Sequence, residues 1–196
     1  MVAPLREPLV PVAWPGTYVP NFSNWREGDI VLVHRTPNAI GYAIQVSQAA
    51  SLSPVTRAGS IWSHAAIYIG GGMVVDATRG AGMSMQSVWN YCQTRAIQVR
   101  RLSDPSIPMA DITDISALAQ QHIGEPYSVM QAFISKVFPG TVPVPDALYC
   151  STLVGLVVTD ATGVDLSSDS AHQPLHPGTL AAHPDLIDVL LEWRNL

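Results

Sequence analysis

The chain has 196 residues, 47% of them hydrophobic and only 13% charged, with a formal net charge of -5. That length suits one domain with a sizeable core, and the absence of any apolar run of spanning length predicts a compact soluble fold with no membrane span. The basic residues stand singly apart from Arg100 and Arg101, so no basic stripe exists to follow a phosphate backbone, and nucleic acid is excluded as an expected partner.

Residues 1–27 are rich in proline and poor in periodicity, yet carry Trp14, Tyr18, Phe22 and Trp25. They read as an extended arm laid on the surface, because those aromatics favour burial. Residues 28–196 read as a single domain. "EGDIVLVHR" supplies a first strand over 30–34, and "NAIGYAIQVSQAAS", with Ile40, Ala43, Ile44 and Val46, suits a helix that Gly41 weakens. "SHAAIYIGGG" is a buried strand with His64 at its mouth and a glycine turn after it; "MVVDA" completes a hairpin. "MSMQSVWNYC" begins extended and ends as a short helix, and "AIQVRRL" alternates as another strand with Ile97 and Val99 on one face.

The character then changes. "MADITDISALAQQHIG" spaces Ile112, Ile115, Leu118 and Ala119 at three and four, with Gly124 as a stop. "SVMQAFISKVFPG" follows as a second helix, then the stiff linker "TVPVPDA". "LYCSTLVGLVVTDATG" is apolar on nearly every side, as expected of a central helix, and Gly163 closes it. "HPGTLAAHPDLIDVLLEW" holds a helical turn and one more short element. Strands first and helices second predict an α+β domain, a small antiparallel sheet packed against helices.

Six side chains draw chemical attention. Cys150 opens the central helix, where unpaired N–H groups and the helix dipole favour a thiolate; buried packing is the competing role of such a cysteine. A thiol attacking an amide or ester needs a base and a group to orient that base. His64 and Asp76 fit as that pair, because a hairpin folded at 70–72 brings them side by side. Gln86 and Asp29 are the reserves for the orienting role, although Asp29 also suits a cap at the strand entrance. Cys92, in "WNYCQT", has no comparable setting and reads as packing. With two cysteines and no histidine at metal-ligand spacing among His34, His122, His172, His176 and His183, no metal or other cofactor is expected.

"GDIVLV", "SHAAIYIG", "VVDA", "GEPY" and "YCSTLV" in that order resemble the permuted branch of the NlpC-type papain-like cysteine peptidases, the YiiX-like amidases, over residues 26–166. The resemblance implies a circularly permuted papain-like (NlpC-type) fold, Cys150 as nucleophile, His64 as base and then acid, and Asp76 as orienting group. Asp76 stands where that branch tends to place a glutamate. Tyr127 in "GEPY" resembles a tyrosine near the thiol that helps hold an oxyanion, and "CST" replaces the branch's frequent "CSE".

The expected function is therefore a cysteine hydrolase of an amide bond, with bacterial cell-wall peptides as the leading substrate class. "MVAPLREPLVPVAWPG" lacks the pattern of a cleaved export signal. The expectation is a protein made in the cytoplasm and delivered to a target cell's periplasm by a specialised secretion system, or a phage product, with an immunity protein or secretion-machine component as partner. Two other classes are kept: a lipid acyl hydrolase or acyltransferase resembling lecithin retinol acyltransferase, and a non-catalytic binding domain.

Overall fold

The computed structural model describes residues 18–34, 45–46, 48–51, 53–78, 81–91, 96–103, 106–126, 148–167 and 175–195. Its strands are β1 (Tyr18–Pro20), β2 (Ile30–His34), β3 (His64–Tyr68), β4 (Met73–Thr78), β5 (Gly82–Ser87), β6 (Ala96–Leu102), β7 (Leu186–Val189) and β8 (Trp193–Asn195). Its helices are α1 (Pro54–Ala58), α2 (Met109–Gln121), α3 (Leu148–Thr162) and α4 (Pro177–Ala182). The second helix expected over 128–140, the linker after it and most of the helix expected from residue 38 lie outside the described residues.

Six strands form one antiparallel sheet in the order β5-β4-β3-β2-β6-β7, and β1 pairs with β8 in a separate ribbon. The α+β class read from the order of elements is the one observed. Alternation along the strands sorts side chains onto two faces. Ile30, Leu32, Ala65, Ile67, Val75 and Ala77 pack with Ile115 and Ala119 of α2 and Leu153, Val154, Val157 and Val158 of α3. On the other face Val31, Val33, Ala66, Tyr68, Val74, Ile97 and Val99 pack with Trp25, Val88 and Tyr91. Helix α3 is apolar over most of its length, up to the exposed Thr159 and Asp160, because it packs against both the sheet and α2.

Local chemistry sets the turns that matter. Gly70, Gly71 and Gly72 have φ of 88°, 59° and 76°, three successive left-handed positions that only glycine takes at little cost, and they fold β3 back on β4. Helix α1, unforeseen in the sequence reading, carries a legible start: Ser53 caps the Thr56 N–H and Pro54 opens the helix. It ends against α4 through Gly59 and Gly178. A Cβ on Gly59 would overlap the Gly178 carbonyl oxygen and stand 2.6 Å from its Cα, and neither backbone can yield as a flexible side chain would. Gly59→Ala is expected to destabilise the fold by about 1–3 kcal/mol, seen as a melting temperature lowered by roughly 2–12 °C. An unchanged melting temperature would show that α1 and α4 separate freely.

His176, the N-cap residue of α4, has its pKa lowered from 6.5 to about 4 by burial. Its Nδ1 is buried with no hydrogen-bond partner among the described residues, so a second ring proton would find no acceptor there. Because the folded chain holds this ring neutral while the unfolded chain protonates it near 6.5, its contribution to stability is complete above pH 6.5 and is lost as the pH falls toward 4. The loss is at most about 3 kcal/mol. Denaturant titrations at pH 7 and pH 4.5 are expected to show a smaller acid loss in His176→Gln than in the native chain; equal losses would contradict the assignment.

Candidate active site

The site begins where β3 begins. Pairing of Ile67 with Val75 and of Tyr68 with Val74, extended by one residue, sets Asp76 opposite Ala66 and one diagonal step from His64. Their side chains meet: His64 Nε2 lies 2.8 Å from Asp76 Oδ2, with the two residues 5% and 0% exposed. Pairing of Val74 with Gln86 and Asp76 with Ser84 brings Gln86 to the same face. Its amide donates to Asp76 Oδ1 at 2.9 Å and reaches Ser84 Oγ at 3.4 Å.

A 3₁₀ turn over Val88–Tyr91 follows β5 and delivers Tyr91 into the same pocket. The Tyr91 hydroxyl donates to Asp76 Oδ2 at 2.7 Å, and its ring stands edge-on to the imidazole at a centroid distance of 5.8 Å. Three donors on one buried carboxylate favour its charged form over its protonated form. An ionised Asp76 offers only lone pairs, so Nε2 of a neutral His64 carries the ring proton and Nδ1 is the acceptor nitrogen. That tautomer accepts a proton at the edge of the ring turned away from Asp76.

Cys150 lies in the first turn of α3, is 1% exposed and forms no disulfide. It shares the helix-side core with Ala65, Ala77 and Met83. His64 continues the row of Ala66 and Tyr68, which pack with Tyr91 on the other face. Thiol and imidazole thus come from the layers on either side of β3, whose first residue is His64. The cysteine lies in the first helical turn, at the positive end of the dipole, a setting that favours negative charge on sulfur or on an adjacent oxygen. The Ser151 hydroxyl donates to the Leu175 carbonyl at 2.5 Å and ties this turn to the chain before α4.

Of the residues singled out in the sequence, the fold brings together His64, Asp76 and Gln86. Asp29 is elsewhere: it accepts from Arg101 Nε at 2.7 Å, Arg101 Nη2 at 2.8 Å and the Arg26 N–H at 2.8 Å. It caps the entrance of β2, while His64 pairs with Val33 near that strand's end, roughly 13 Å along it. Asp29 is therefore no reserve for the orienting role. Gln86 touches the carboxylate rather than the imidazole. Tyr127 and Cys92 lie outside the described residues. Tyr91 was not foreseen; "WNY" marks a helical turn but nothing in it shows which way the hydroxyl points. Among the described residues no group of three or more His, Cys, Asp or Glu side chains is arranged to hold a metal ion, and no helix among them is long and apolar enough to cross a membrane.

The sequence profile of a family described as "Permuted papain-like amidase enzyme, YaeF/YiiX, C92 family" matches residues 24–180. Among solved structures, the fold is similar to one titled "Crystal structure of metalloprotein yiiX from Escherichia coli O157:H7", with a TM-score of 0.59 and 15% identity over 86% of this chain and 98% of that one. No curated protein matches the sequence.

Proposed function

The chain belongs to the permuted papain-like amidases of the C92 family, and from that premise we propose that it is a cysteine hydrolase in which Cys150 attacks the carbonyl carbon of an amide. The observation that carries this reading is the buried Asp76–His64 pair, 2.8 Å apart, which engages Nε2 and leaves Nδ1 as the basic nitrogen of the ring. His64 takes the thiol proton at Nδ1, Cys150 Sγ bonds to the carbonyl carbon, and the oxyanion is held by N–H groups at the start of α3, with Tyr127 as the further donor. The imidazolium then protonates the leaving amine. Water, deprotonated by the same nitrogen, cleaves the thioester and regenerates the thiol. The reaction needs sulfur and ring to meet at the N-terminal end of β3, whose first residue is His64.

The substrate class is a peptide amide of the bacterial cell wall, and the biological setting is that of an antibacterial effector delivered to a target cell. Family membership supports amide chemistry, and the cell-wall peptide is the narrower choice that the resemblance to NlpC-type peptidases suggests. Digestion of purified peptidoglycan by the full chain, with products sized by mass spectrometry, tests it. New soluble fragments bearing one new amine and one new carboxylate per cut are expected. No change in the wall together with cleavage of simple acyl amides would retain the amidase reading and remove the wall as substrate.

A further inference from the structure

We infer that Tyr91 is a positioning residue of this site: its hydroxyl shares Asp76 Oδ2 with His64 and so sets how strongly the carboxylate holds the imidazole proton. The catalytic meaning of this inference rests on the reading just given, but the coupling itself does not. Tyr91 Oη stands 2.7 Å from Asp76 Oδ2 and 3.4 Å from His64 Nε2, while Nε2 stands 2.8 Å from that same oxygen. The three atoms make a triangle in which one oxygen accepts two protons. The shorter distance assigns the phenol proton to the carboxylate, since Nε2 already bears a proton of its own.

A carboxylate oxygen that accepts a strong hydrogen bond has less charge to offer a second donor. Tyr91 therefore weakens the pull of Asp76 on the imidazolium without removing the anion, and Gln86, bonded to Oδ1 at 2.9 Å, keeps the other oxygen from rotating into its place. The consequence is an imidazole that is aligned by a charge yet releases its second proton more readily than it would beside the unshared carboxylate. Tyr91 is 1% exposed and Asp76 0%, so water does not stand in for the phenol. Among the described residues, the ionisable groups in contact with His64 are Asp76 on β4 and Tyr91 on the 3₁₀ turn, and His34 on β2 adjoins its cross-strand partner Val33.

The test is the titration of His64 followed by NMR in the full chain carrying Cys150→Ser, which removes the thiol as a competing acid. The His64 signal among the six histidines is assigned by its loss in a further His64→Gln substitution. Adding Tyr91→Phe is expected to raise the midpoint by roughly half to one pH unit, because the whole charge of Oδ2 then faces the imidazolium. Replacing tyrosine by 3-fluorotyrosine, a more acidic phenol of nearly the same shape, is expected to lower it. A midpoint that does not move, or that falls in Tyr91→Phe because Asp76 has taken up the proton, overturns the inference. If Tyr91→Phe fails to fold, the fluorotyrosine chain decides by itself, and an unshifted midpoint there is equally fatal. Failure of the catalytic reading looks different: Cys150→Ala would retain hydrolysis while these midpoints still shifted.

Discussion

Cys150→Ala is expected to abolish amide hydrolysis, lowering kcat on the order of 10⁴-fold or more, with the fold intact. The sulfur is the attacking atom of the proposed reaction, and alanine leaves nothing at position 150 to form the acyl intermediate. Stability is expected to change little, because the substitution removes a single buried heavy atom from a cluster that also holds Ala65, Leu153 and Val154, a loss of about 1 kcal/mol. Initial rates on the amide substrate, compared with thermal melts of both chains, separate the two effects. A variant that keeps a tenth of the native rate at an unchanged melting temperature would rule out covalent catalysis at this position.

Asp76→Asn is expected to be nearly as severe, with kcat down roughly 10³- to 10⁴-fold and KM little changed. The carboxylate accepts from three donors, Tyr91, His64 and Gln86. An asparagine offers one acceptor oxygen and turns its amide hydrogens toward at least one of those donors. If that amide faces His64, the imidazole must present a lone pair at Nε2 and carry its proton on Nδ1. The ring is then unable to accept from the thiol. Rates should not recover at high pH, because a wrong tautomer is not corrected by removing protons from solution. Asp76→Ala, by contrast, leaves the buried Tyr91 and His64 and the half-buried Gln86 without their acceptor and is expected to cost about 3–5 kcal/mol of stability, so its loss of activity would say little about catalysis. Wild-type kcat in a folded Asp76→Asn chain would refute the orienting role.

Family and fold class were legible because the residues that carry them act locally. "SHAAIYIG" reads as a strand, and the left-handed glycines after it read as a turn, from side-chain size and backbone sterics alone. Once the hairpin was granted, the register of β3 and β4 brought Asp76 near His64 with no further information. The spacing of Ile112, Ile115 and Ala119 marked α2 in the same way. The partners of Asp29 were not legible: an acid before a strand fits a cap and a catalytic role equally, and only the arrival of Arg101, 72 residues away, decided between them.

What the sequence by itself determined is the succession of elements, the hairpin that pairs acid with imidazole, and the helix that opens on Cys150, since each follows from periodicity, turn chemistry and nearby spacing. Only the tertiary structure decided the strand order that sets β6 and β7 beyond β2, the pairing of β1 with β8 across almost the whole chain, and the seat of Tyr91 on the carboxylate. Those depend on which distant surfaces bury one another and on where a polar atom must find its partner once water is gone. No local pattern encodes that choice, because its energy exists only after the layers have closed.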